Sequence, residues 1–189
     1  MKIEIDLILL NLQKTIMKKV ILCIVMLAGF FTGKAQKLTE FSQTMQSKSY
    51  ISIINKQVYA ESEAATVKQA LDLVYTSKRD GSDTVKEFYN LSGKSSVVPV
   101  SLQGTSTGIV SLSWDKDLFN KCVTVADLKR MTGHITNNSF SFYSVIASNH
   151  TGDINYPCFI FQLASGKRGI LYVTKADNNA IRVMVKYEP

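Results

Sequence analysis

Proline, histidine and close cysteine pairs are scarce in this chain, and each scarcity excludes something. Three prolines in 189 residues leave no Pro-rich linker to divide the sequence, and no internal repeat or long low-complexity block appears. The two histidines, His134 and His150, lie sixteen positions apart, and Cys122 and Cys158 lie thirty-six apart. Zinc sites use much closer pairs, so neither a metal nor a cofactor is implied. Charge of one sign is modest: the chain carries +7, and Lys78-Arg79, Lys129-Arg130 and Lys167-Arg168 are isolated pairs with acids interspersed. That pattern argues against a nucleic-acid-binding stripe.

A long hydrophobic run is also missing. Val20 to Phe31 runs twelve residues without a charge. As a helix it would span ~18 Å, well short of a hydrocarbon core of ~30 Å, so no permanent membrane anchor is expected. Its surroundings read differently. Lys18 and Lys19 precede it and Thr32-Gly33-Lys34-Ala35 follows, giving the basic start, short apolar run and small-residue exit of a secretory signal peptide. Residues 1–35 are therefore read as a signal peptide, with Met17 the natural start, and 36–189 as one soluble exported domain, periplasmic or extracellular. That domain keeps a net +4 and is large enough to bury a sizeable core without a metal.

Removal of Cys23 with the signal leaves Cys122 and Cys158, an even pair bounding a 37-residue loop. In an exported protein the pair is a disulfide candidate, while two buried thiols that never meet fit the spacing equally well.

Along the domain, Gln36 to Ser49 is polar and reads as a loose lead-in, and Tyr50 to Ile54 as a short strand. Glu61 to Tyr75 carries both helical and alternating spacing and is read as helix, then strand, breaking near Ala70. Lys78 to Asp83 reads as a turn. Val98, Val100 and Leu102 alternate, as do Val110, Leu112 and Trp114, suggesting a hairpin across Gln103–Gly108 with Pro99 on an edge strand. Thr124 to Gly133 reads as a capped helix with a left-handed glycine exit. Three strands close the chain, with Phe159, Phe161 and Leu163 on one face and Ile181, Val183, Val185 and Tyr187 alternating in the last. The class is β-rich α+β: an antiparallel, sandwich-like domain with a C-terminal meander and one or two short helices.

Leu71-Asp72-Leu73-Val74-Tyr75, Phe88-Tyr89-Asn90-Leu91-Ser92-Gly93, Phe159-Ile160-Phe161 and Ser165-Gly166-Lys167-Arg168-Gly169-Ile170-Leu171-Tyr172-Val173 resemble recurring words of an uncharacterised exported β-rich domain family of Bacteroidetes. Those domains share an "IDLVY" segment and a "DGKYGLIKV"-type terminal hairpin. Arg168 stands where that hairpin more often has an aromatic. The resemblance implies an extracytoplasmic β-rich domain of no assigned activity and carries over no catalytic residue.

Catalytic constellations are thin. Gly104-Thr105-Ser106-Thr107-Gly108 matches the G-x-S-x-G elbow of hydrolases, with Asp127 and His134, or Asp115 and His150, in the required order. Yet the alternation after Gly108 is that of a strand, whereas the elbow needs a strand-to-helix turn. Cys122 with His134 or His150, held by Asn137 or Asp153, lacks any signature around the thiol. Asp115-Lys116-Asp117 opens like a calcium loop, but Phe119 holds the fifth position and the sixth is not glycine.

Binding residues are the better expectation. Trp114, Tyr143 and Tyr156 are aromatics in or beside proposed loops, and His150 to Tyr156, with Asp153, is a polar loop able to present a surface. Trp114 also continues the Val110–Leu112 face, which favours a core position. The sequence thus points to a non-catalytic exported domain whose partner is an envelope protein or a glycan, with a glycan-binding accessory and then a small secreted hydrolase as alternatives.

Overall fold

The computed structural model describes residue 17 and residues 35–80, 83–147, 157–176 and 180–189. The signal-peptide reading of 1–35 falls almost wholly outside them, as do His150, Asp153 and Tyr156. Residues 36–189 form one compact unit built from two antiparallel sheets. Among the described residues no helix is long and apolar enough to cross a membrane.

The strands are β1 (Thr39–Gln46), β2 (Ser49–Ser52), β3 (Gln57–Tyr59), β4 (Leu73–Asp80), β5 (Asp83–Asn90), β6 (Gly108–Leu112), β7 (Tyr143–Ala147), β8 (Cys158–Gln162), β9 (Arg168–Ala176) and β10 (Ala180–Tyr187). The first sheet has the order β1-β10-β9-β8-β6 and the second β3-β2-β4-β5-β7. Between them lies the main core. Met45, Ile109, Phe159, Phe161, Leu171, Val173, Ile181, Val183 and Val185 of one sheet meet Ile51, Leu73, Tyr75, Phe88 and Ile146 of the other. Phe88 and Phe159 touch edge to face across the gap, 5.4 Å between centroids. Such a pair is worth ~0.5–1.5 kcal/mol beyond its area burial.

Both outer faces are partly covered. Short helices α1 (Glu61–Ala64), α2 (Lys116–Lys121) and α3 (Val125–Thr132) supply some of the cover, with 3-10 turns at Ala65–Ala70, Val100–Leu102 and Asn137–Ser139. Phe119 and Leu128 bury Cys158, Ile160 and Ile170 on the first sheet, where Val110, Leu112 and Trp114 join them. Ala64, Leu71, Val98 and Leu102 bury Tyr50, Val74 and Tyr89 on the second.

The β-rich class, the C-terminal meander and the helix-then-strand division of 61–75 agree with the sequence reading; four local expectations do not. Gln36 to Ser49 is not a loose lead-in. Phe41 and Met45 pack on the core side of β1, which pairs with β10 over its whole length. Val98, Val100 and Leu102 form no strand. The chain coils after Pro99, with the Leu102 amide donating to the Pro99 carbonyl at 2.8 Å. Val98 and Leu102 are buried and Val100 is 81% exposed, and a helical spacing of four satisfies the same two residues as alternation would. The expected hairpin is therefore absent, and β6 pairs with β8 instead. Lys78 to Asp80 belong to β4, and Asp80 pairs with Asp83 at the start of β5, so the expected turn gives up these residues to the strands. Thr124 caps α3 as expected, in a reciprocal box with Asp127, but Gly133 leaves at φ −61°, in the right-handed region.

Candidate functional site

The edge strand β6 bridges to the residues that lead into the edge strand β7. Ile109 and Ser141 exchange both backbone hydrogen bonds, at 3.0 and 2.9 Å. A groove of about 280 Å³ lies along this seam, lined by Ile109, Val110, Ser111, Ser141, Tyr143, Ser144 and Val145. Tyr143 is the large aromatic that stands open there, 43% exposed. It is not in a loop, as its sequence context suggested, but opens β7 directly opposite Tyr89 of β5.

That register builds the platform. The Tyr143 and Tyr89 rings stack at 5.8 Å with planes 22° apart, and Phe142 leans on Tyr143 at 5.0 Å. Tyr89 is itself buried and fixed at its far end, where its hydroxyl donates to Glu87 Oε2 at 2.7 Å. The same carboxylate oxygen takes the Lys78 ammonium at 3.0 Å. Burial first, then the bond to Glu87, pushes the Tyr89 hydroxyl above its ordinary pKa, while the Glu87 hydrogen bond holds Lys78 protonated. The result is a rigid aromatic face with a fixed charge pair behind it and serine hydroxyls along the groove. An aromatic face beside hydroxyls offers both apolar contact and hydrogen bonds, as recognition of small polar ligands requires.

A second cleft, about 310 Å³, opens at the β8–β9 turn between Ser106, Asn137, Phe140, Gln162 and Gly166. Its aromatic is already used. The Arg168 guanidinium lies 5.4 Å over the Phe140 ring, and the ring's Cβ would be 2.7 Å from any Cβ added at Gly108. Arg168 is held there by the Ile135 carbonyl at 3.2 Å and the Asn137 Oδ1 at 3.3 Å.

Among the described residues the hydrolase readings do not assemble; those that use His150 fall outside them. Ser106 is exposed in an extended stretch leading into β6, with no helix following. Its neighbours instead form a latch: Thr105 donates to the Leu71 carbonyl at 2.6 Å, Thr107 to Asp72 Oδ1 at 3.2 Å, and Asn90 to the Thr107 carbonyl at 2.8 Å. Asp127 spends its carboxylate on the Thr124 cap and on Arg130, not on a histidine. Asp115 begins no calcium loop but caps α2, accepting from the Leu118 amide at 2.8 Å. Among the described residues no group of three metal-ligating side chains is gathered.

Trp114 is half-buried with Val110 and Leu112, a packing position far better suited to core than to stacking. Cys122 and Cys158 are both fully buried, share the cluster beneath α2 and α3, and are free thiols in the structure. Of the two flagged aromatics among the described residues, Trp114 and Tyr143, Tyr143 is the one left exposed. Its supporters Tyr89, Glu87 and Lys78 gave no local signal, because only the β5–β7 register brings them together.

No protein-family model matches the chain, and no curated protein matches it either. The fold is similar to the crystal structure of a DUF4466 family protein from Parabacteroides merdae, with a TM-score of 0.54 at 18% identity. The match covers 82% of this chain and 53% of that one, so the chain spans about half the length of the structure it resembles. The likeness is one of fold, shared with a Bacteroidetes protein whose family name states no function.

Proposed function

We propose that this chain is an exported, non-catalytic binding domain that holds a glycan against the Tyr143 face. The observation that carries the reading is the exposure of Tyr143 over a ring that is buried and anchored, at the mouth of a groove lined with serines. Preorganisation of this kind lowers the ordering cost of binding. The groove is at the small end for a ligand site, so it suits one or two units of a longer polysaccharide better than an enclosed small molecule. Export is supported by the basic, apolar and small-residue succession over 17–35.

The test is a panel of neutral and acidic polysaccharides screened by affinity electrophoresis, with calorimetry on any hit. The reading expects at least one ligand, weakened on the order of tenfold by Tyr143→Ala and unchanged by Trp114→Ala. No ligand in the panel, or a ligand indifferent to Tyr143→Ala, would overturn it.

A further inference from the structure

We infer that Cys122 and Cys158 are joined by a disulfide as the exported chain folds, fastening the end of α2 to β8. The two residues are fully buried members of one cluster. Cys158 pairs in register with Tyr172 on β9, the Tyr172 ring lies 5.3 Å from that of Phe119, and the Phe119 carbonyl accepts the Cys122 amide at 3.2 Å. Each cysteine therefore neighbours one member of the Phe119–Tyr172 ring pair. Cys158 also feels Cys122 electrically: burial, and then the charge of Cys122, pushes it up to about 12, while burial pushes Cys122 up to about 11.

Those thiols are poorly reactive once packed. At pH 7 on the order of one in ten thousand Cys122 side chains is thiolate, the form that attacks a disulfide. The bond must form before α2 docks. The oxidant is a disulfide, either oxidised glutathione or a thiol–disulfide oxidoreductase. The Cys122 thiolate attacks one of its sulfurs, expelling a first thiolate and leaving a mixed disulfide. The Cys158 thiolate then attacks the Cys122 sulfur and expels the second. Two electrons pass to the oxidant, and the two protons lost by the cysteines end on its thiols.

The closed loop of 37 residues contains α3 and β7, and so carries Tyr143. A covalent tie at both ends limits opening of the segment that presents the platform. The inference rests on the export reading only for the supply of oxidant in the cell, so its test is made in vitro.

Full-length chain carrying Cys23→Ser, so that Cys122 and Cys158 are its two thiols, is unfolded and reduced, then refolded at neutral pH in a mixture of reduced and oxidised glutathione. It is next denatured in maleimide and digested. The expected result is a disulfide-linked peptide pair spanning Cys122 and Cys158, free of maleimide until reduction, with a lower denaturation midpoint for the reduced protein. Adding the same oxidant to folded, reduced protein should give the bond far more slowly. Maleimide or glutathione on both cysteines after oxidative refolding would overturn the proposal. Equal oxidation rates from the folded and unfolded chains would overturn its coupling to folding. Cys122→Ser and Cys158→Ser, refolded in parallel, should each leave one thiol reactive. Failure of export is read separately, from the N-terminal residue of the protein recovered outside the cytoplasm.

Discussion

The Lys186 ammonium sits 4.6 Å over the Phe119 ring and donates to the Phe119 carbonyl at 3.0 Å. It also reaches the carbonyls of Cys122 at 3.1 Å and Asn120 at 3.4 Å. These are carbonyls at the end of α2, where Cys122 turns to extended backbone; that of Phe119 also accepts the Cys122 amide. A lysine on the outer face of a strand would ordinarily project into water, but here it is buried because a helix terminus offers it carbonyls and partial negative charge. Lys186→Met keeps the stem and removes the donors. The expected loss is ~2–4 kcal/mol in urea unfolding, and a change under ~0.5 kcal/mol would show that water replaces the ammonium at no cost.

Gly169 marks the closest approach on the first sheet. A Cβ there would collide with Phe161 Cζ and lie 2.5 Å from the Lys186 carbonyl and 2.7 Å from Tyr187 Cβ. The obstacles include backbone and the base of a core side chain, so little can yield. Gly169→Ala is expected to cost ~2–4 kcal/mol or prevent soluble expression, read as the shift in thermal midpoint. Gly166→Ala makes the control: its Cβ meets nothing within 4 Å, leaving only the strain of a φ of +84°.

The same region shows what the sequence makes legible. Ile181, Val183, Val185 and Tyr187 alternate without interruption because β10 is paired on both sides, with β1 and β9, and buries one face completely. Phe159, Phe161 and Leu163 behave likewise. β1 is an edge strand whose only large inward residues are Phe41 and Met45, with Gln43 between, so its periodicity is too weak to read. β7 mixes the two faces: Ser144 is buried opposite Phe88, and Tyr143 is exposed opposite Tyr89. Tyr143 could be singled out as an aromatic in a polar stretch. Its anchoring by Tyr89, Glu87 and Lys78 could not, since register between distant strands leaves no local trace.

Thr124 offers a cleaner test of a local signal. Its hydroxyl accepts from the Asp127 amide at 3.1 Å, and the Asp127 carboxylate takes the Thr124 amide at 3.0 Å. Thr124→Ala should cost ~1 kcal/mol by chemical denaturation, with the oligosaccharide affinity of the Tyr143 face unaltered. A larger loss would mean that the cap also governs docking of the Gln36 carbonyl on the Val125 amide, 2.9 Å away at the start of α3.

Asp72 gives stability a pH dependence of unusual sign for a carboxylate. Burial raises its pKa from an ordinary 3.8 to about 6, opposed in part by hydrogen bonds from the Ile53 amide and the Thr107 hydroxyl. Because the folded-state pKa lies above the unfolded one, the native state favours the protonated acid. The associated stability is complete below about pH 4 and is lost as pH climbs through about 6. The interval between the two pKa values is worth at most about 3 kcal/mol. Asp72→Asn keeps an acceptor for Ile53 and never ionises. Urea unfolding at pH 4, 5, 6 and 7 should therefore show wild type losing ground to the variant across this window. Asp127, whose pKa the Thr124 hydroxyl and amide lower, titrates in both proteins and cancels in the difference. Parallel curves for wild type and Asp72→Asn would show that the carboxylate is solvated in the folded protein and that the Thr107 latch carries no buried charge.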